Sequence, residues 1–379
     1  PNSSVDPSTS GRSMKKIRLG VLGTGAFAEA CHVPGLQSHP DAEVVVLCGR
    51  NLARTRAMAE RLGVPEFSLD YEQVCTRTDI DAITIATPNV AHAIQSKAAF
   101  AAGKHVFCEK PLAMNVHEAV EMVRDAERSH AIHQVAFTYR YLYGVQELKR
   151  RLMKGDIGEP YHVRVQYASW EGVKPDTKIG FREKRDCAGA GILYDVGYHL
   201  FDLIGFIVGP IEAVAGSTLL IPRERIDHRT GVLAQVETDD IASAWFVCRD
   251  GIQGHLFASR ATPNSGDKAY IEVVGREGAL RASLSRGSID MLRVSRSTHP
   301  EWELVPLPAE ASTGTPHCLG AMMRSFVDAC IRGRLNNDLD ASFYDGLAVQ
   351  RTMDAVQESA CRPHWIPLEA GIRCHVSDE

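Results

Sequence analysis

Ile17 to Leu22 reads as a short apolar strand that runs directly into Gly23-Thr24-Gly25-Ala26-Phe27-Ala28. A strand that ends in a G-x-G-x-x-A run and gives way to a helix leaves few folds open. Gly23 permits a tight turn, Gly25 lets the backbone approach a pyrophosphate, and Ala28 lets helix pack closely on sheet. The N–H groups at the helix start then face the phosphates. The segment is therefore expected to bind a dinucleotide, with Gly23, Thr24, Gly25, Ala26 and Phe27 facing the cofactor.

The alternation continues. Ala42–Cys48 is continuous and β-branched, as a strand buried on both faces should be. A carboxylate for the ribose 2′-hydroxyl is the usual residue after it. Here the chain reads Gly49-Arg50-Asn51 instead. Arg50 fits the 2′-phosphate of NADP better than the free hydroxyl of NAD; it could also stack on adenine in either cofactor or point to water. Asn51 can cap the helix Leu52 to Leu62, and Arg54, one turn along, can share the phosphate. Asp81–Ala86 is the next strand and ends at Thr87-Pro88-Asn89, with His92 opening a helix that Gly103 stops. Val106–Cys108, a helix from Asn115 to Ser129 and a strand Ile132–Phe137 complete the series. Strand and helix alternating from residue 17 to 137 predict a parallel sheet covered on both faces, an α/β Rossmann domain over residues 15–138.

After Tyr139-Arg140-Tyr141 the rhythm changes. A helix covers Val145 to Lys154, and strands are expected at Tyr161–Trp170, Ile211–Leu220, Ile241–Cys248, Ile252–Arg260, Ala269–Val274 and Ile289–Val294. Asp250-Gly251 is a hairpin signal between two of them. Strands in succession mean a mostly antiparallel open sheet, so residues 139–379 read as an α+β domain closed by helices at Cys318–Arg332 and Ala341–Glu358.

A formal charge of −5 argues against a nucleic-acid partner, which calls for a basic footprint. No apolar run reaches the ~18 residues of a membrane helix; the nearest, 192 to 208, is broken by Asp195, His199 and Asp202. Ten cysteines with no CxxC pair or zinc-type spacing predict free thiols, no metal and a reduced, cytoplasmic setting. Residues 1–14, rich in Ser, Pro and Gly, are expected to be a disordered leader.

Two further places carry chemistry. Val106-Phe107-Cys108-Glu109-Lys110-Pro111 ends a strand with a lysine held out of the helical region by proline. Ligands of open α/β sheets bind beyond such strand ends, where an ammonium can polarise an oxygen or hold a phosphate. The plainer reading is a surface lysine. Asp195 and His199, four apart in Gly189-Ala-Gly-Ile-Leu-Tyr-Asp-Val-Gly-Tyr-His199, should share one helix face. A carboxylate beside an imidazole makes a workable acid–base unit; the plainer reading is a helical surface pair.

In this order and spacing, Gly23-Thr24-Gly25, Thr87-Pro88-Asn89 with His92, Glu109-Lys110-Pro111 and Asp195-Val-Gly-Tyr-His199 resemble the glucose–fructose oxidoreductase, inositol dehydrogenase and MocA-like family, over residues 15 to 360. The resemblance implies hydride transfer between a nicotinamide cofactor and a sugar or cyclitol carbon; Arg50 favours NADP over NAD, and a nucleotide-linked sugar is as admissible a substrate. The resemblance also implies a homodimer or homotetramer formed through the second sheet. It places Lys110 at the nicotinamide and the reacting oxygen, Asp195 and His199 at the substrate, and Thr87, Pro88, Asn89, His92 and Glu109 at the cofactor. On position alone, Tyr139, Arg140, Trp170 and Arg182 are expected to line the sugar pocket. A silent, ligand-sensing regulator on the same fold is the competing reading, and intact Lys110, Asp195 and His199 speak against it.

Overall fold

The computed structural model describes residues 16–368 except 175, 264–267, 285–290 and 310–314. The leader expected at 1–14 lies outside the described residues.

Six strands form the first sheet: β1 Ile17–Leu22, β2 Ala42–Cys48, β3 Glu66–Ser68, β4 Ala82–Ile85, β5 His105–Cys108 and β6 His133–Val135. Their order is β3-β2-β1-β4-β5-β6, and every pairing is parallel. Helices α1 Val33–Gln37, α2 Leu52–Leu62, α3 Tyr71–Thr76, α4 His92–Ala101 and α5 Val116–Ser129 connect them. The order reverses between β1 and β4, which opens a crevice at their carboxyl ends. Asn51 caps α2, accepting the Arg54 N–H at 2.9 Å, and Asn115 caps α5 in the same way. The chain leaves the glycine turn through a π-helical turn, Ala28–His32, before α1 begins.

The second sheet has nine strands in the order β16-β15-β14-β13-β7-β12-β11-β8-β17. In chain order come α6 Tyr143–Met153, β7 Pro160–Ala168, α7 Arg185–Ala188, α8 Tyr198–Val208 and β8 Ile211–Leu219. A small hairpin follows, β9 Glu224–Ile226 with β10 Leu233–Gln235. Then come β11 Ile241–Cys248, β12 Gln253–Ser259, β13 Ala269–Gly275, β14 Gly278–Ser283, β15 Leu292–Arg296 and β16 His299–Val305. The chain closes with α9 Thr315–Arg332, α10 Phe343–Cys361 and β17 Ile366–Pro367. Among the described residues of this sheet, only β7 with β12 pairs parallel. Asp250 and Gly251 both have positive φ, as the hairpin between β11 and β12 requires.

Alternate residues of the central strands, such as Val163 and Val165 or Ile271 and Val273, are buried under α6, α8 and α10. The apolar run from Leu193 to Val208, a turn followed by α8, is mostly buried in the core. The two last helices return to the first domain: α9 packs on α1 and the π turn, α10 on α5. Val135 of β6 donates to the Ala341 carbonyl, so the two halves share a seam as well as a linker.

Candidate active site

The crevice is a cavity of about 620 Å³ lined by both halves of the chain. That is the size of a cofactor or small-ligand site.

At one end lies the turn after β1. Gly23 has φ +117°, and a Cβ there would sit 2.3 Å from the Ala86 carbonyl oxygen, so only glycine fits. A Cβ on Gly25 would meet nothing within 4 Å: this face of the backbone is open to the cavity. Gly23, Thr24, Gly25, Ala26 and Phe27 all line it, joined by Gly49, Arg50, Arg54, Leu69 and Tyr71. An open glycine turn at a strand end, with two arginines beyond the second strand, fits a dinucleotide. Asn51 is not on the wall; its side chain is used in capping α2.

Thr87, Pro88, Asn89, Glu109, Lys110 and Pro111 form the middle of the cavity. Asn89 donates to the Ala188 carbonyl at 3.1 Å, tying this loop to the second domain. The Lys110–Pro111 peptide is cis. His92, expected at the cofactor, is instead fully buried behind the wall. Its ring nitrogens lie 2.8 Å from the Pro111 carbonyl and 3.0 Å from the Thr87 carbonyl, so it braces both loops from behind. Burial holds its pKa below the usual imidazole range. Beyond Pro111, the Leu112 N–H donates to the Tyr198 hydroxyl at 3.1 Å, and that hydroxyl donates to the Gly346 carbonyl at 2.8 Å. Glu109 is buried, a circumstance that alone would raise its pKa. A hydrogen bond and charge from His32, with Lys110 and His92 nearby, hold it below the ordinary value.

The far end holds the charged cluster. Lys110 Nζ lies 2.9 Å from Asp195 Oδ1 and 2.5 Å from the Asp195 carbonyl oxygen. Arg182 Nε approaches the same Oδ1 at 3.3 Å. One carboxylate thus serves two cations, one from each domain. Asp195 sits in a second π-helical turn, Leu193–Gly197, just before α8. Such turns shift the helical ladder and recur at functional sites. Tyr139, Tyr167, Phe181 and Tyr194 wall this end.

Three expectations are corrected here. His199 does not line the cavity: it is 2% exposed, with its ring 4.8 Å from that of Tyr139 and 6.3 Å from that of Phe137. The side chains of Asp195 and His199 therefore do not open onto one surface. Arg140 is also absent from the wall. It is buried and holds Asp202 at 2.5 to 3.1 Å and Asp345 at 2.9 Å, because a guanidinium in the core needs carboxylates around it. Trp170 is 44% exposed and lies off the cavity, carried outward where β7 ends at Ala168. Tyr167, Phe181 and Tyr194 were missed in the sequence. The alternation along β7 marks Tyr167 as facing a side, but nothing in the chain says which side meets the crevice.

Comparison with known proteins bears on this geometry. Residues 17–137 match the profile of the oxidoreductase family with an NAD-binding Rossmann fold, and residues 145–281 match that of the GFO/IDH/MocA C-terminal domain. This chain belongs to the Gfo/Idh/MocA oxidoreductase family. Levoglucosan dehydrogenase of Pseudarthrobacter phenanthrenivorans is 27% identical over 94% of this chain and 99% of its own. A structure of levoglucosan dehydrogenase in complex with NADH and levoglucosan superposes with a TM-score of 0.86 at 25% identity, covering 94% of this chain and all of that one. A putative UDP-kanosamine synthase oxidoreductase subunit of Amycolatopsis mediterranei is 30% identical over 69% of this chain and 74% of its own. Family and geometry agree that the chain is an oxidoreductase with an NAD-binding Rossmann domain.

Proposed function

We propose that this enzyme moves a hydride between NADP(H), or less favourably NAD(H), and a hydroxyl-bearing carbon of a sugar, nucleotide-linked sugar or cyclitol. The observation that carries the reading is one continuous cavity. It starts at an open glycine turn with Arg50 and Arg54 and ends at Lys110, Asp195 and Arg182 among aromatic rings. The nicotinamide, when bound, supplies or accepts the hydride. The chain's residues do the rest. Lys110, held by the Asp195 carboxylate and carbonyl, stabilises negative charge growing on the reacting oxygen. Asp195 orients Lys110 and accepts hydrogen bonds from substrate hydroxyls. Tyr139, Tyr167 and Phe181 offer flat apolar faces to the ring of a sugar. His199 packs on Tyr139 behind the wall, so as proton acceptor it acts through an intermediary at the Tyr139 side of the cavity and not on the substrate directly. Arg50 and Arg54 line the cavity beyond the end of β2, where a ribose-binding carboxylate is usual, and favour a 2′-phosphate. Self-association through the open face of the second sheet belongs to the same reading.

A panel of sugars and cyclitols, tested with both oxidised cofactors and followed at the nicotinamide absorbance, tests the proposal. Turnover of at least one polyol supports it. Tight cofactor binding with no turnover of any would return the chain to the regulator reading.

A further inference from the structure

Lys110 is reached from behind by a chain of buried contacts that starts in the π turn after the glycine loop. His32 is fully buried there, and its Nε2 lies 3.1 Å from Glu109 Oε1. A carboxylate only accepts, so Nε2 carries the proton and donates. The other oxygen, Oε2, accepts the backbone N–H of Lys110 at 3.2 Å. Both oxygens of Glu109 are thus assigned, one to the pyrophosphate-binding element and one to the residue at the reacting oxygen. The His32 ring is itself fixed. Its edge packs on Phe107 with ring centroids 5.4 Å apart, and Phe107 packs in turn on Phe326 of α9 at 5.4 Å. Nδ1 has no hydrogen-bond partner among the described residues, so the Glu109 bond is the polar contact that holds the ring.

We propose that His32 is a positioning residue of this active site: it orients the Glu109 carboxylate, and Glu109 in turn fixes the backbone of Lys110. The proposal rests on the dehydrogenase reading above, and it adds a residue that never touches the cavity. The charged and titratable groups facing Glu109 are His32, His92 and Lys110, with Cys108 beside it. From the side of α9, the neighbour of this cluster is the apolar ring of Phe326. Without His32, the burial of Glu109 remains while its hydrogen-bond donor goes. The carboxylate pKa then rises. A group that must be ionised is lost as pH falls through its pKa, so the acid limb of activity moves to higher pH.

The test uses the full chain with His32→Leu and His32→Gln, each with two readouts. The first is kcat against pH on a substrate that the wild type turns over. The second is the protonated-carboxyl band in infrared spectra of the cofactor-free protein, with Glu109→Gln to assign it. His32→Leu should lower kcat by on the order of tenfold to a hundredfold, the scale of a small displacement of a catalytic group. It should also move the acid limb and the carboxyl titration together, by about one pH unit or more. His32→Gln restores an N–H donor and should recover most of the loss. If His32→Leu fails to fold, the Gln variant still decides: a wild-type carboxyl titration supports the proposal, and one shifted as if no donor were present overturns it. Equal loss in both variants with an unmoved carboxyl titration would mean packing alone, and the proposal falls. If the wild type turns over no polyol, the dehydrogenase reading fails, and the infrared titration still decides whether His32 holds Glu109 ionised.

Discussion

At the scale of single residues, the site is a problem of where charge can be kept. Lys110 holds its place through the Asp195 carboxylate and the Asp195 carbonyl. The glycine turn proposed to hold the pyrophosphate lies elsewhere on the cavity wall, around Gly23 and Gly25. Lys110→Met should therefore leave cofactor affinity within about threefold and lower kcat by on the order of 10² to 10³, the effect of removing one electrostatic stabiliser. Fluorescence titration and steady-state rates separate the two. His199 is a sharper question, because it lies against Tyr139 instead of on the wall. His199→Phe keeps an aromatic ring beside Tyr139 and removes the proposed proton acceptor. A loss of about 10² to 10⁴ in kcat is expected of a general acid–base group. Near wild-type rates in His199→Phe would reduce the residue to a packing partner of Tyr139. At the other end of the cavity, Arg50→Ala should weaken NADP(H) by about tenfold to a hundredfold and barely change NAD(H), since a charge-assisted hydrogen bond to phosphate is lost in one case only. Equal cofactor affinities, unchanged by the substitution, would leave Arg50 pointing to water.

At the scale of elements, what could be read in the chain depended on whether local chemistry decided it. β1, β2 and α2 have the bounds their sequences predict, because an apolar run, a capping Asn51 and a stopping Gly63 are all local signals. β14 and β16 were not anticipated. β16 is exposed at all but its last residue, so no apolar alternation marks it, and its pairing with β15 comes from tertiary structure. The two π turns were also unread. They place Asp195 toward Lys110 and His32 toward Glu109, and nothing in a helical period announces a shifted ladder. Arg140 was misread for a related reason. An arginine beside two tyrosines after the last Rossmann strand suggests a pocket, while its true partners, Asp202 and Asp345, lie 62 and 205 residues away. That cluster joins α8 to the amino end of α10, where Ser342 and Asp345 form a capping box. Arg140→Met leaves two carboxylates without their cation in the core. The cost should be about 3 to 5 kcal/mol, visible as a large drop in Tm, with little direct effect on cofactor affinity in whatever fraction stays folded. A change under 1 kcal/mol would show that water reaches the cluster.

At the scale of the molecule, the second sheet has helices on one face only among the described residues. Its inward positions, such as Ala244, Phe246, Leu256 and Ile271, are buried. Its outward positions include Trp245 at 59% exposure and Leu219 at 54% near one edge of the sheet, and Leu304 at 67% on the opposite edge strand, so exposed apolar side chains stand at both ends of one outward band. The band is not uniformly greasy. Glu272, on the outward side of β13, is fully buried between Arg164 and Arg281, and Arg281 stacks on Tyr270 and Trp302 at 4.6 and 4.7 Å. A carboxylate already sequestered by its own neighbours can enter an interface without a new desolvation cost, so the face is prepared for a partner of the same kind. A second copy meeting it across a two-fold axis would set each band against its equivalent. Sedimentation at micromolar concentration should show a dimer or tetramer. The double substitution Leu219→Glu and Trp245→Glu should shift it toward monomer, because four like charges would face one another across each two-fold contact. The cavity opens on the other domain's strand ends, so cofactor affinity of the monomeric variant should stay within about threefold of wild type. A wild-type protein that sediments as a monomer would remove the interface from the account and leave the cavity chemistry standing.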